Sequence, residues 1–504
     1  MRALLTGFLA LFPLTAYGSL LTAQASPIVS ADDPRLPLFE HMVIRGDVAD
    51  PSPMWRPIRR RQVFEALNQA TGGQLAAKLV EEFQDEPIKK EGASWQVAGR
   101  GGFQSFTHAR RELLQPTGDG GTRPYVEGSV TGRTMFAVMS ARAAWEPRLS
   151  MDPDWLDSAS AEPRDEEWRI MDAYVSVEGK GVTVTYGMFD RSWGMAGASG
   201  LPASTDGYPQ DGLAFSYTRG KLQVDFSGAP LRQVQDPVVV DHYRYTTSHR
   251  FALRLNPALT IALWETGIVS TESRNVVTTI ASPFYPLVLK GIFGNSEDAN
   301  SIIGADLSWR LGRPLLLQAQ FALDDKGSAN VEDARPARWG GTLGLAGPLG
   351  QTLSWRARVT AASSLLYRTT RPEEFYTDGT VGLGRNFADQ VQATLAFGVP
   401  VEGVWLVTPE ITWLKQGEGN LRTPFPTGAD LAATPTFFIG TPTRTWRFGL
   451  GVSGQKGALG LKGSGGLHAI SNDGHVEGSS TTRFEGRIQL TFGFSSGGPS
   501  KRRQ

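Results

Sequence analysis

With 50 basic and 50 acidic side chains among 504 residues, the chain carries no formal net charge, and it contains no cysteine. That excludes a long-range field able to gather nucleic acid or an acidic membrane surface, and it excludes a disulfide scaffold or a lipidated N-terminal cysteine. Six scattered histidines offer no metal-ligand spacing, and no cofactor is expected.

Arg2 precedes an apolar stretch from Ala3 to Leu21, and Ala23-Gln24-Ala25 has the small-x-small pattern a signal peptidase reads, so residues 1–25 are expected to be a signal peptide. Beyond it no run approaches the ~18 continuous apolar residues of a spanning helix, and the mean hydropathy is −0.22. A helical membrane protein is excluded. A β-barrel is not, because each of its strands shows only one apolar side to lipid.

Residues 26–92 carry a helical period. Pro57 is placed to start a helix in which Val63, Phe64, Leu67 and Ala70 share a face, ended by Gly72-Gly73. Leu75, Leu79 and Phe83 repeat every four residues before Pro87 stops a second helix. Two short amphipathic helices make no core alone, so the segment is expected to be a helical plug packed in the periplasmic mouth of whatever follows.

From residue 93 the period changes to two. Phe484, Gly486, Ile488, Leu490, Phe492 and Phe494 alternate with Glu485, Arg487, Gln489, Thr491 and Gly493, over the ~9–11 residues that a tilted transmembrane strand requires. Leu222, Val224 and Phe226 alternate in the same way with Lys221, Gln223 and Asp225, and Leu353, Trp355, Ala357 and Val359 with Ser354, Arg356, Arg358 and Thr360. One face suits lipid and the other a wet lumen.

Short turns are read at Gly132-Arg133, Gly179-Lys180-Gly181, Arg219-Gly220-Lys221, Asn256-Pro257, Gly312-Arg313-Pro314, Pro348-Leu349-Gly350, Pro400-Val401-Glu402 and Gln455-Lys456-Gly457. Longer connections lie between them, near 108–121, 148–166, 191–210, 231–246, 271–300, 325–336, 364–386, 416–442 and 471–480. Eight short and nine long connections in strict alternation predict a single antiparallel outer-membrane β-barrel of about eighteen strands over 93–494, with tight periplasmic turns and long outer loops. A soluble sandwich or propeller has no reason to keep that parity. Ser495 to Gln504, rich in glycine and basic residues, is expected to be a disordered periplasmic tail.

At the outer end of the fifth strand the alternation of Val182, Val184, Tyr186 and Met188 runs into Gly187-Met-Phe-Asp-Arg-Ser-Trp-Gly-Met-Ala-Gly-Ala-Ser-Gly200. Its glycines permit close chain approach, and Arg191 and Trp193 suit hydrogen bonding to, or stacking on, a sugar ring. The alternative places Trp193 in the interfacial aromatic belt and Arg191 in a lumenal ion pair. In the outer loops Arg232, Arg244 and Arg274 are candidate partners for the carboxylates of an acidic ligand.

Four pieces in order resemble the Wzi-type capsule-assembly proteins, a family of outer-membrane lectins: DPRLPLFEHMVIRGDVADPSPMWRPIRRRQVFEALNQA, MDAYVSVEGKGVTVTYGMFDRSWGMAGASGLPAS, SHRFALRLNPALTIALWETGI, and SPFYPL with IIGADLSWRLGRPLLLQAQFALDD. Arg191, Trp193 and Gly194 match the family's arginine before Trp-Gly, although Met195-Ala196 delays the next glycine to Gly197. The resemblance implies an eighteen-stranded barrel closed from the periplasm by helices and from outside by loops, holding capsular polysaccharide at the cell surface. Expected partners are that polysaccharide, outer-membrane lipid and the barrel-assembly machinery during insertion; nucleic acid is not among them, and the chain is read as a monomer. The competing reading is a substrate-specific porin or sugar channel.

No enzyme is expected, because no nucleophile–base constellation is present. Asp241-His242 and Asp324-Asp325 lie in or beside outer loops, where such residues are mostly solvated. Gly449-Leu-Gly-Val-Ser-Gly454 fits a dinucleotide glycine pattern but leads into a hairpin rather than a helix.

Overall fold

The computed structural model describes residues 24–71, 73–85, 92–153, 168–205, 207–232, 243–271, 299–327, 335–421, 423 and 425–499. Strands β1 (Ala93–Phe106), β2 (Gly121–Thr134), β3 (Ala137–Trp145), β4 (Trp168–Gly179), β5 (Val182–Phe189), β6 (Gln210–Arg219), β7 (Leu222–Leu231), β8 (Tyr243–Asn256) and β9 (Leu259–Thr271) form the first half. The second half comprises β10 (Ala299–Leu311), β11 (Leu315–Asp325), β12 (Arg338–Leu349), β13 (Leu353–Ala362), β14 (Gln390–Val401), β15 (Trp405–Gln416), β16 (Thr443–Lys456), β17 (Leu459–Ser471) and β18 (Ser480–Pro499). Each pairs antiparallel with its sequence neighbours, and β18 returns to β1 with Phe494 opposite Gly99 and Pro499 opposite Ser94. The eighteen-stranded sheet is closed, which leaves no backbone edge facing hydrocarbon.

The period-two pattern sorts as expected. Phe484, Phe492 and Phe494 face outward and are exposed, while Glu485 and Thr491 face the lumen and are buried. Exposed tryptophans mark both rims, Trp95 and Trp309 near the short-turn end and Trp168 and Trp446 near the long-loop end, the paired aromatic belts of an outer-membrane barrel. No helix among the described residues is long and apolar enough to cross a membrane. This is an outer-membrane β-barrel.

Two boundaries differ from the sequence reading. The first short turn is Met135-Phe136, and Gly132 and Arg133 lie inside β2; the glycine there serves the wall, while the Arg133 guanidinium bonds Asp85 in the N-terminal segment. The last strand runs to Pro499, so residues 495–499, read as tail, pair with Ser94–Ala98 of the first strand. Of the segment read as a signal peptide only Gln24 and Ala25 lie within the described residues, and Ala25 packs against Val138, Tyr174 and Phe189.

The N-terminal segment holds three helices, α1 (Leu36–Arg45), α2 (Arg60–Asn68) and α3 (Gly73–Glu82). The sequence reading found the last two and missed the first. α2 starts three residues after Pro57, where the Gln62 side chain accepts the Arg59 N–H at 2.8 Å. Leu38, Phe39, Met42, Val43, Ile58, Val63, Leu67, Leu79 and Phe83 form their common core, joined by Leu406 from the barrel wall.

This core is tied to the wall from inside. Arg310 donates to the carbonyls of Val43 and Ile44, so a cation meets the negative C-terminal end of α1. Arg45 donates to Leu353 O at 2.7 Å and Gln351 O, and pairs with Asp47 at 2.6 Å. His41 lies 3.1 Å from Thr352 O through Nε2 and 2.8 Å from Ser354 Oγ through Nδ1. A carbonyl only accepts, so Nε2 carries the proton and Nδ1 accepts from the serine hydroxyl. The helices plug the barrel at its short-turn end.

Candidate functional site

Why the fifth strand should break into glycines is answered by where the chain goes next. After Phe189 the connection to β6 turns into the lumen rather than out over the rim. Ser192 and Arg56 of the plug segment exchange both backbone hydrogen bonds, at 2.8 and 3.2 Å. The Trp193 ring lies 4.3 Å from that of Trp55, centroid to centroid, and is 1 % exposed. Gln320 on β11 clamps the loop twice, donating to Trp193 O at 3.0 Å and accepting from Leu201 N at 2.8 Å. At Gly200 the backbone crosses directly against the Trp193 carbonyl, where a Cβ has no room, and Gly197 sits at φ +65°. The glycines let one loop cross itself inside a barrel.

Above this crossing lies the loop that joins β13 to β14. Tyr367 and Tyr376 stack at 5.4 Å, and their hydroxyls donate to Leu201 O at 2.8 Å and Pro202 O at 2.6 Å. Trp193, Leu201, Trp264, Ile268, Ile302, Leu366, Tyr367, Tyr376 and Leu421 form one buried cluster, so the loops carry their own apolar core within the outer half of the lumen. Against it lies a polar knot in the wall: Arg250 is 3.5 Å from Asp225 and 3.4 Å from Asp306, and Asp306 accepts from the Trp264 indole and from Gln320, each at 2.9 Å.

Those expected site residues that are described therefore fall into two places. Arg191, Trp193 and Gly194 come together inside the lumen, not on an outer surface. Arg191 lies over the Phe189 ring at 4.1 Å, with Nε and Nη2 enclosed and without a hydrogen-bond partner. Burial pushes its pKa down to about 10 against the opposing pull of Asp211 and Asp190. Neither reading of Trp193 as a surface platform nor as part of the lipid-interface belt fits a ring packed on the plug.

Arg244 and Arg232 form the second place. Arg244 is buried and braces loops, donating to Glu373 O at 2.6 Å, Arg232 O at 2.8 Å, Thr377 O at 3.0 Å and Phe375 O. Arg232 sits half-exposed beside it, 3.4 Å from Asp378. Arg274 falls outside the described residues, as does Asp241-His242. Asp324 and Asp325 are structural: Asp324 accepts the Tyr367 N–H at 3.0 Å and Asp325 pairs with Arg338 at 3.1 Å. Among the described residues no group of three or more His, Asp or Glu is placed to hold a metal ion.

The plug and the loop layer meet but do not fill the barrel. A cavity of about 330 Å³ lies between the plug and the β5–β9 wall, and another of about 290 Å³ lies on the opposite side, between the plug and β1, β2, β17 and β18. The sequence reading missed Trp55, Arg56, Gln320 and the Asp306–Arg250 pair. The strand parity that put Gln320, Asp306 and Arg250 on inward positions was the available signal for the last three.

No family model matches the chain, and no curated protein matches it in sequence. The fold is similar to a solved structure of Wzi from Escherichia coli, described as an outer-membrane protein involved in group 1 capsule assembly and a carbohydrate-binding β-barrel, with TM-score 0.62 and 13 % identity over 93 % of this chain and 99 % of that one. OprD of Pseudomonas aeruginosa (TM-score 0.45, 9 % identity, 82 % of this chain and 97 % of that one) and a BenF-like porin of Pseudomonas fluorescens Pf-5 (0.44, 10 %, 81 % and 99 %) match more loosely.

Proposed function

We propose that this outer-membrane barrel binds and anchors a surface polysaccharide through its outer loops, without catalysing a reaction, and works as a monomer inserted by the barrel-assembly machinery. The observation that carries the reading is the contact in mid-lumen between the loop layer and the plug, Ser192 on Arg56 and Trp193 on Trp55. A barrel blocked there from both sides offers its outer loops as a surface rather than as a mouth. The similarity of fold to a carbohydrate-binding barrel agrees with this. In this reading Arg232 contributes from the rim, with Arg274 as a further candidate, while Arg191, Trp193, Gly194 and Arg244 set the shape of the layer from beneath. With no net charge to steer a polymer, affinity comes from hydrogen bonds, aromatic faces and local arginine–carboxylate pairs.

The two cavities beside the plug favour a second reading, a substrate-specific porin or sugar channel that opens by displacing the plug. Planar-bilayer recording separates the two: the anchoring reading expects no steady conductance from the intact protein, and sustained open channels would sink it. On cells, loss of the protein should release surface glycan into the medium. Unchanged glycan retention would remove the anchoring function.

A further inference from the structure

Several buried donors on the side chains lining the cavity between the plug and the β5–β9 wall find no acceptor. Three of its arginines are matched: Arg59 pairs with Glu178 at 2.7 Å, Arg61 with Glu65 at 2.7 Å, and Arg250 with Asp225 and Asp306. Arg254 donates to the carbonyls of Asp50 and Pro51, while Arg56 lies 3.5 Å from Asp50 and leaves its buried Nε without a hydrogen-bond partner. Arg191 lines the same space, and the enclosed Nε and Nη2 of its guanidinium find no acceptor. The Trp193 indole Nε1, on the same wall, is also buried without an acceptor. Buried donors are ordinarily satisfied, so these unmatched donors on side chains that line one cavity mark the place of a missing acceptor.

The rest of the wall describes the ligand. Thr183, Ser227 and Thr260 bring hydroxyls to it, and about 330 Å³ is far more than a simple ion needs; it lies within the usual range for small-molecule sites, about 300–1,000 Å³. The lining extends to Gly220 and Lys221 in the turn between β6 and β7, so the cavity reaches the short-turn, periplasmic rim. We propose that this cavity is a binding site for an acidic monosaccharide unit entering from the periplasm, its carboxylate received by Arg191 and the Trp193 indole and its hydroxyls by the threonine and serine wall. The site is separate from polysaccharide binding on the outer loops, and either can fail without the other.

Calorimetric titration of the full-length protein in detergent with sodium glucuronate and with glucose tests this. Glucuronate should bind saturably and glucose should not, Arg191→Gln should weaken binding at least tenfold, and Arg191→Lys should retain part of it. Heat-modifiable migration reports whether each variant remains a folded barrel. A second measurement leaves the loop intact: the chain has no cysteine, so Lys221→Cys provides a single thiol at the proposed entrance, and glucuronate should slow its labelling. Absence of saturable glucuronate binding, equal binding of glucose, an Arg191→Gln affinity equal to wild type, or labelling indifferent to glucuronate each overturns the proposal.

Discussion

Trp193 is held by a strand, a loop and a helical plug together: Gln320 takes its carbonyl, Ala203 its N–H at 3.0 Å, and Trp55 its ring face. Truncation to alanine removes one of the largest buried side chains, and substitutions of that kind cost about 3–5 kcal/mol. We expect Trp193→Ala to leave the strands paired but to expose the loop layer to protease on intact cells, with limited proteolysis as the measure. His41 offers a second test. Burial, reinforced by Arg45, pushes its pKa down to about 4 from 6.5. At neutral pH the ring is uncharged whether the plug is docked or released, so it contributes no pH dependence there. Below 6.5 the released ring binds a proton that the docked ring refuses, and plug docking weakens until the pH reaches about 4, by up to about 3 kcal/mol in total. Protease sensitivity of the plug should therefore rise between those values, and His41→Gln should flatten the profile; an unchanged profile would assign the acid response elsewhere. At this scale the sequence was only half legible. Arginine and tryptophan among glycines marked residues 191–194 as special, but strand parity gives the direction of side chains on strands and says nothing about which way a loop folds.

The elements were read with uneven success for reasons that lie in their surroundings. Strands β1 to β18 each have one face in lipid and one in the lumen, so their alternation survives in the sequence. α1 has no such contrast. Leu36, Leu38, Phe39, His41, Met42, Val43, Ile44 and Arg45 are all buried, because the helix is enclosed between α2, α3 and the barrel wall, and a helix enclosed on all sides shows little amphipathic period. The turn at Met135-Phe136 was hidden by the opposite effect: it contains no glycine, and Gly132 nearby drew the reading inward. The plug is retained by charge-assisted hydrogen bonds to backbone, each worth about 1.5–3 kcal/mol. Arg310→Ala combined with Arg45→Ala removes the contacts to Val43, Ile44, Leu353 and Gln351 at once. Planar-bilayer recordings of that variant should show intermittent openings where the parent protein is silent. A silent double variant would mean that the remaining contacts, among them Leu406, His41 with Thr352 and Ser354, and Arg133 with Asp85, suffice to hold the plug.

For the whole molecule, the alternation of short turns and long loops sets the expected orientation, with the turns in the periplasm. An epitope inserted at Gly428, in the exposed short helix Gly428–Ala433 between β15 and β16, should be labelled on intact cells, and one at Gly220 should not. The reverse pattern would invert the barrel. The seam between β1 and β18 gives a further expectation. Removing residues 500–504 should be tolerated, whereas cutting from Ser495 strips five cross-strand positions from the closure and should yield barrels that lose heat-modifiability at lower temperature. Phe492→Asp with Phe494→Asp places two charges on the lipid face, where an acidic side chain costs less than the ~2–4 kcal/mol of a basic one at the midplane but still opposes burial in lipid, and should impair insertion; normal insertion would put that face elsewhere.

The meeting of Ser192 with Arg56 makes the interior continuous along the barrel axis. From the outer loops a line of contacts runs through Tyr376 to Pro202, through Trp193 to Trp55, and through the plug to Arg310 and Arg45 at the opposite rim. A load pressing on the outer face is thus carried as compression down this column and delivered to the cylinder wall near the turns. A load pulling outward meets something weaker, since two backbone hydrogen bonds and a ring contact are all that these contacts set in tension at the joint. Among the described residues this joint ties the loop layer to the plug, so a pull on the loops is expected to strain it before the barrel wall gives.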